Sequence, residues 1–194
     1  MCDPLNIKEV DALKPDYLGI IFYKESPRCM DKNPDAIPET KATKVGVFVD
    51  KDIEYIIKKA REFKLKTIQL HGNESPETCS DLLELGYDVF KAFKIGEETK
   101  VAEMYPYVGK CTAFLFDTKS DKPGGSGKKF NWEKLDEMAE LFPFFLSGGI
   151  GVDDIESIKK LNYENLIGVD LNSRFETEPG MKDAELLQSF MSKI

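Results

Sequence analysis

Seven short runs of apolar, β-branched and aromatic residues punctuate the chain, beginning near Tyr17 (YLGIIF), Val45 (VGVFV), Thr67 (TIQL), Val89 (VFKAF), Ala113 (AFLF), Pro143 (PFFLS) and Leu166 (LIGVDL). Each run is nearly continuous in its hydrophobicity instead of alternating, which is the pattern of strands buried on both faces of a parallel sheet. Helical periodicity fills the intervals. Ile53, Ile56, Ile57, Ala60 and Phe63 share one helical face, as do Trp132, Leu135, Met138 and Ala139. Val152, Ile155, Ile158 and Leu161 form a third such face, and Leu186, Leu187, Phe190, Met191 and Ile194 close the chain on a fourth. Start signals mark several of these helices: Asp50 ahead of Ile53, Ser75-Pro76 ahead of Glu77, and Asn131 ahead of Trp132. Only Gly96–Tyr107 holds no clean period.

The strand runs recur every 22 to 30 residues along residues 17–166. That spacing fits repeated βα units, with no linker or break in composition between them. A (β/α)8 barrel of the TIM type is therefore expected over residues 1–194 as one domain, with seven of its eight strands present. Stepping back one period from Tyr17 puts the remaining strand just upstream of Met1, and Pro4–Leu13 reads as the helix that follows it.

In such barrels function collects at the carboxyl ends of the strands. Those ends here carry Lys24 to Arg28, Asp50, His71-Gly72, Lys94, Asp117, Ser147-Gly148-Gly149 and Asp170-Leu-Asn172-Ser173. Asp117 follows Phe114-Leu-Phe directly, and an acid at the end of a buried strand is costly unless used or paired. The glycine-rich segment after it, Pro123 to Gly127, is not a nucleotide-binding P-loop. That pattern needs a glycine where Lys122 stands and a hydroxyl where Lys129 stands. Small residues after the last two strands let backbone amides approach a phosphate, the usual anion position in this fold. Gly148, Gly149 and Ser173 are the candidates for that contact, and Asp170 and Asn172 for contact with substrate hydroxyls or phosphate. Ser173 reads equally well as a helix cap.

Composition trims the alternatives. With 27 Lys and Arg against 35 Asp and Glu, a net charge of −8 speaks against a general nucleic-acid or anionic-membrane binder. No apolar run approaches the roughly 20 residues that cross a bilayer, and a cytoplasmic location is expected. Cys2, Cys29, Cys79 and Cys111 lack metal-ligand spacing, and His71 is the only histidine, so no metal is expected.

In order along the chain, the sequence resembles the phosphoribosylanthranilate isomerase family of tryptophan biosynthesis. The matching segments are Gly19-Ile-Ile-Phe-Tyr23 with Ser26-Pro-Arg28, Val45-Gly-Val-Phe-Val49, Ile68-Gln-Leu-His-Gly72, Phe116-Asp-Thr-Lys119 with Gly124-Gly-Ser-Gly127, Leu146-Ser-Gly-Gly-Ile150, and Val169-Asp-Leu-Asn-Ser173 through Lys182-Asp183. The resemblance implies an Amadori rearrangement of a small phosphorylated substrate, without metal or organic cofactor, by a monomer or homodimer. It implies Asp117 as the general acid and Arg28 over the anthranilate carboxylate. His71 is expected to order its loop and not to transfer protons, and Lys119 and Lys128 read either as electrostatic aids or as plain surface charges. The family's base is a cysteine in a Cys-Gly pair on the first strand, and Met1-Cys2-Asp3-Pro4 aligns just beyond it, so Cys2 is not that base by position. Two other readings stay open at this level. One is a barrel that binds a phosphorylated ligand without turning it over, and the other is a different phosphosugar enzyme of the same fold.

Overall fold

A computed structural model describes residues 1–30, 34–118 and 130–194. Seven strands form one sheet in chain order: β1 (Tyr17–Ile21), β2 (Thr43–Phe48), β3 (Thr67–Leu70), β4 (Asp88–Ile95), β5 (Ala113–Thr118), β6 (Phe144–Leu146) and β7 (Leu166–Val169). Every neighbouring pair is parallel. The sheet is curled. Tyr17 on β1 meets Phe145 on β6 edge-on at 5.7 Å, and Phe90 on β4 at 5.4 Å, contacts a flat sheet could not make between strands so far apart.

Side-chain alternation divides each strand between two cores. Val45, Phe90, Ala113 and Phe145 pack inside the curl, whereas Phe48, Ile68, Leu70, Phe114, Phe116 and Phe144 face the helices in the larger cluster. Period two then carries Gln69 and His71, Lys94, Asp117, Ser147 and Asp170 to the inner side at the carboxyl ends. These strands read as continuous apolar runs because both faces are covered.

The helices are α1 (Pro4–Ala12), α2 (Ile53–Glu62), α3 (Pro76–Glu84), α4 (Leu135–Met138), α5 (Ile155–Lys159) and α6 (Ala184–Met191). Their caps account for their starts. Asp3, Asp52, Ser75 and Asp183 each accept a backbone N–H three residues on, at 2.7–3.3 Å. Asp52 therefore caps α2, in place of the expected Asp50, which adopts φ 48° and instead binds Asn73 N at 2.6 Å. Asn131 does accept the Glu133 N–H, but it opens a 3-10 turn (Trp132–Lys134) ahead of the short α4. Likewise Val152–Asp154 is 3-10 and runs into α5. The aperiodic Gly96–Tyr107 stretch holds two 3-10 turns, Val101–Glu103 and Tyr105–Tyr107.

β1 and β7 are the two ends of the sheet. The start of the chain lies against β1: the buried Met1 donates from its amine to Gly19 O at 3.1 Å, and burial lowers the amine's pKa. Asn6 ties α1 to a small hairpin, β8 (Glu176–Glu178) and β9 (Met181–Lys182), through Oδ1 and Nδ2 to the Lys182 main chain at 2.7 and 2.8 Å. Among the described residues no helix is long and apolar enough to cross a membrane.

None of the four cysteines is in a disulfide, but their thiols are not equivalent. Burial pushes Cys79 up to about 11 and Cys111 up to about 12, because a thiolate is poorly solvated there. Iodoacetamide at pH 8 is thus expected to alkylate Cys2 and Cys29 in the folded protein and to spare the other two until denaturant is added. Peptide mass mapping reads this directly, and native labelling of Cys79 or Cys111 would contradict the packing described.

Candidate active site

Asp117 stands on the last turn of β5, with both carboxylate oxygens engaged. Its Oδ1 accepts the Thr118 N–H at 2.8 Å, and its Oδ2 lies 3.1 Å from His71 Nε2. His71 Nδ1 is 2.8 Å from Gln69 Nε2. An amide nitrogen only donates, so with the Gln69 amide in this orientation Nδ1 accepts and the ring proton sits on Nε2, aimed at Asp117. The relay Gln69–His71–Asp117 comes from inner-face positions of β3 and β5 and fixes the carboxylate from two sides. Each oxygen keeps a second lone pair for a ligand.

Beside the acid lies the glycine turn after β6. Gly148 and Gly149 have φ of +90° and +70°, a region disfavoured for other residues. A Cβ at Gly148 would come within 2.5 Å of Thr118 N and 2.9 Å of Asp117 Oδ1, so the turn and the acid are packed directly together. Among the described residues, the backbone N–H groups of Gly148, Gly149, Asn172 and Ser173 have no protein acceptor. Amides left open on adjoining turns are donors of the chemistry that phosphate sites use. Ser147 Oγ donates to Asp170 Oδ2 at 2.8 Å, linking the two turns.

A third group crowns the β1 and β7 side. Arg28, at the end of the Tyr23–Arg28 loop, pairs with Glu176 through Nε at 2.9 and 3.0 Å and Nη2 at 2.6 Å. Lys182 Nζ reaches Glu176 at 3.1 Å and Asn172 Oδ1 at 2.8 Å. All three charged side chains are nearly buried. Burial raises the Glu176 pKa, but the Arg28 and Lys182 hydrogen bonds and charges outweigh it and leave the carboxyl below its usual range. Arg28 and Lys182 thus share the Glu176 carboxylate, and the Asp170 charge also acts on Lys182.

A family model for N-(5'-phosphoribosyl)anthranilate isomerase matches residues 3–193. The N-(5'-phosphoribosyl)anthranilate isomerase of Parabacteroides distasonis is 42% identical over 199 residues, covering 100% of this chain and 90% of that protein. The chain belongs to the phosphoribosylanthranilate isomerase family. In fold it is similar to the crystal structure of that isomerase from Thermotoga maritima, with TM-score 0.86 and 28% identity over 100% of this chain and 94% of the other. A further isomerase structure, in complex with reduced 1-(o-carboxyphenylamino)-1-deoxyribulose 5-phosphate, matches at TM-score 0.82 and 25% identity, again over 100% and 94%.

The isomerase family's barrel accounts for the curled sheet and its seven parallel strands. The structure brings Asp117, Gly148, Gly149, Asp170, Asn172 and Ser173 to one rim. Arg28 pairs with Glu176, which also holds Lys182 and through it Asn172 of the same rim. Lys119, Lys128 and the Pro123–Gly127 segment lie outside the described residues. Sequence reasoning did not find Gln69, Glu176 or Lys182 as parts of the site. For Gln69 a signal existed, a polar residue inside the apolar run TIQL two positions before His71. No group of three or more potential metal ligands occurs among the described residues.

Proposed function

We propose that this isomerase opens the ribose ring of N-(5'-phosphoribosyl)anthranilate by proton donation from Asp117 and rearranges it to 1-(o-carboxyphenylamino)-1-deoxyribulose 5-phosphate, a step of tryptophan biosynthesis. The Asp117 carboxyl gives its proton to the furanose oxygen, the bond from that oxygen to C1' breaks, and the nitrogen lone pair forms an iminium. Loss of the C2' proton to a base gives an enol-amine, which becomes the ketone as C1' takes up a proton and the C2' hydroxyl gives one up. The His71 N–H holds Asp117 in line, and the Gly148, Gly149 and Ser173 amides receive the phosphate. The planar Arg28 guanidinium, with Lys182 beside it, suits the anthranilate carboxylate. The base implied by the resemblance belongs to a Cys-Gly pair. Cys2, Cys29, Cys79 and Cys111 are followed by Asp, Met, Ser and Thr, so the base is assigned to no residue of this sequence.

What carries the reading is the contact of the Gly148 turn with the Asp117 carboxylate, which sets an acid and an anion cradle within one pentose phosphate of each other. Calorimetric titration with reduced 1-(o-carboxyphenylamino)-1-deoxyribulose 5-phosphate tests it. Binding should be competed by inorganic phosphate, and Gly148→Ala should weaken it tenfold or more, since a methyl there strikes the Thr118 main chain. Absence of binding, or binding indifferent to phosphate and to Gly148→Ala, would refute the reading.

A further inference from the structure

Lys91 is a lysine where an apolar residue is expected. It lies on the helix-facing side of β4, among Val89, Phe93 and Ile95, with 2% of its surface exposed. Its Nζ donates to Gly72 O at 2.7 Å, Ala92 O at 3.1 Å, Leu70 O at 3.3 Å and Glu74 Oε2 at 3.2 Å, and it lies over the Phe93 and Tyr107 rings at 5.7 and 5.9 Å. Glu74 is equally buried, and its carboxylate accepts the N–H groups of Asp50 at 2.9 Å and Gly72 at 3.0 Å. Tyr107 Oη holds the Glu74 carbonyl at 2.9 Å.

A buried ion pair of this kind contributes little net stability, since desolvation offsets the attraction and an apolar pair of similar volume often does as well. What it does hold is backbone. Of the segment from Leu70 to Glu74, the pair and its tyrosine bind the Leu70 carbonyl, both the N–H and the C=O of Gly72, and the Glu74 carbonyl. His71 is the residue between these clamps. A Cβ at Gly72 would lie 2.7 Å from Asp50 N, so the β2 turn closes the segment from the remaining side. His71 must also span from β3 across β4 to reach Asp117 on β5, a separation of roughly 9–10 Å between strand axes. Over that reach a small turn of the His71 backbone breaks the 3.1 Å contact.

We propose that Lys91 and Glu74 are positioning residues that set the orientation of the His71 imidazole, and through it that of Asp117. The inference rests on reading Asp117 as the acid, although its test does not. Because His71 is the only histidine, ring nitrogen NMR of the uniformly labelled 194-residue chain reports one imidazole. The native protein should show two well-separated signals of the Nε2–H tautomer. The double variant Lys91→Met/Glu74→Gln removes both charges together and so leaves no unpaired ion. It should fold with unchanged circular dichroism while the two signals lose most of their separation, as the ring leaves its partners and the tautomers mix. Leu82→Ala, a fully buried change on α3, should lower the melting temperature and leave the signals in place. If the double variant does not fold, Tyr107→Phe removes only the bond to the Glu74 carbonyl and should move the signals the same way by a smaller amount. Unmoved signals in whichever of these variants folds would overturn the proposal. That result would leave Asp117 as the acid untouched, whereas a failure of the acid assignment appears in the turnover of Asp117→Asn and leaves the NMR result standing.

Discussion

Asp117→Asn is expected to lower turnover by about a thousandfold, within the 10²–10⁴ range typical of a lost general acid, while affinity for the phosphorylated analogue changes less than about threefold. The assay follows conversion of N-(5'-phosphoribosyl)anthranilate by the native chain and by the variant under the same conditions. The side chains are nearly isosteric, but an amide has no proton to give the ring oxygen. One of its two ends must also turn an N–H toward a donor, since Thr118 N and His71 Nε2 face opposite oxygens of the native carboxylate. A thousandfold corresponds to about 4 kcal/mol of transition-state stabilisation. Affinity should survive because the phosphate amides come from the turns after β6 and β7. Equal losses in affinity and turnover would make Asp117 a structural residue of the rim.

The barrel and half of its site were legible for one physical reason. A parallel strand covered on both faces must be apolar throughout, so a charge at its end stands out. Phe114-Leu-Phe-Asp117 is such a case: alternation sends Phe114 and Phe116 to the helices and Asp117 to the inner rim. The glycines after β6 were legible because only φ > 0 or close approach explains two in a row there. Pairings between turns of different βα units left no periodic trace. Arg28 and Glu176 lie 148 residues apart, and only barrel curvature brings them together. Lys91 did leave a trace, as the one charge inside VFKAF, a run that was read only as a strand. Helix boundaries after β5 and β6 were overextended, since residues such as Trp132 and Val152 satisfy the apolar period in a 3-10 turn as readily as in an α-helix.

Glu176→Ala carries the second large effect, this time on stability. It removes the nearly buried carboxylate that Arg28 and Lys182 share, a loss of about 3–5 kcal/mol by analogy with other broken buried pairs. For a chain of this size that lowers the melting temperature by roughly 6–20 °C. Acid dependence supplies the sign check. The Glu176 pKa is lowered in the folded state, because the two cations outweigh the burial that raises it, so its contribution is complete above the ordinary glutamate range and fades as pH falls through the lowered value. The stability gap between the native chain and Glu176→Ala, read by urea titration, should therefore be widest near neutral pH and narrow on acidification below about pH 4. Reduced 1-(o-carboxyphenylamino)-1-deoxyribulose 5-phosphate should stabilise the variant more than inorganic phosphate does, because its aromatic carboxylate can take the place beside Arg28 that the Glu176 carboxylate fills in the native chain. Equal stabilisation by both would place the anthranilate carboxylate away from Arg28, and the cluster would then serve to fasten the β1 loop to the β8–β9 hairpin.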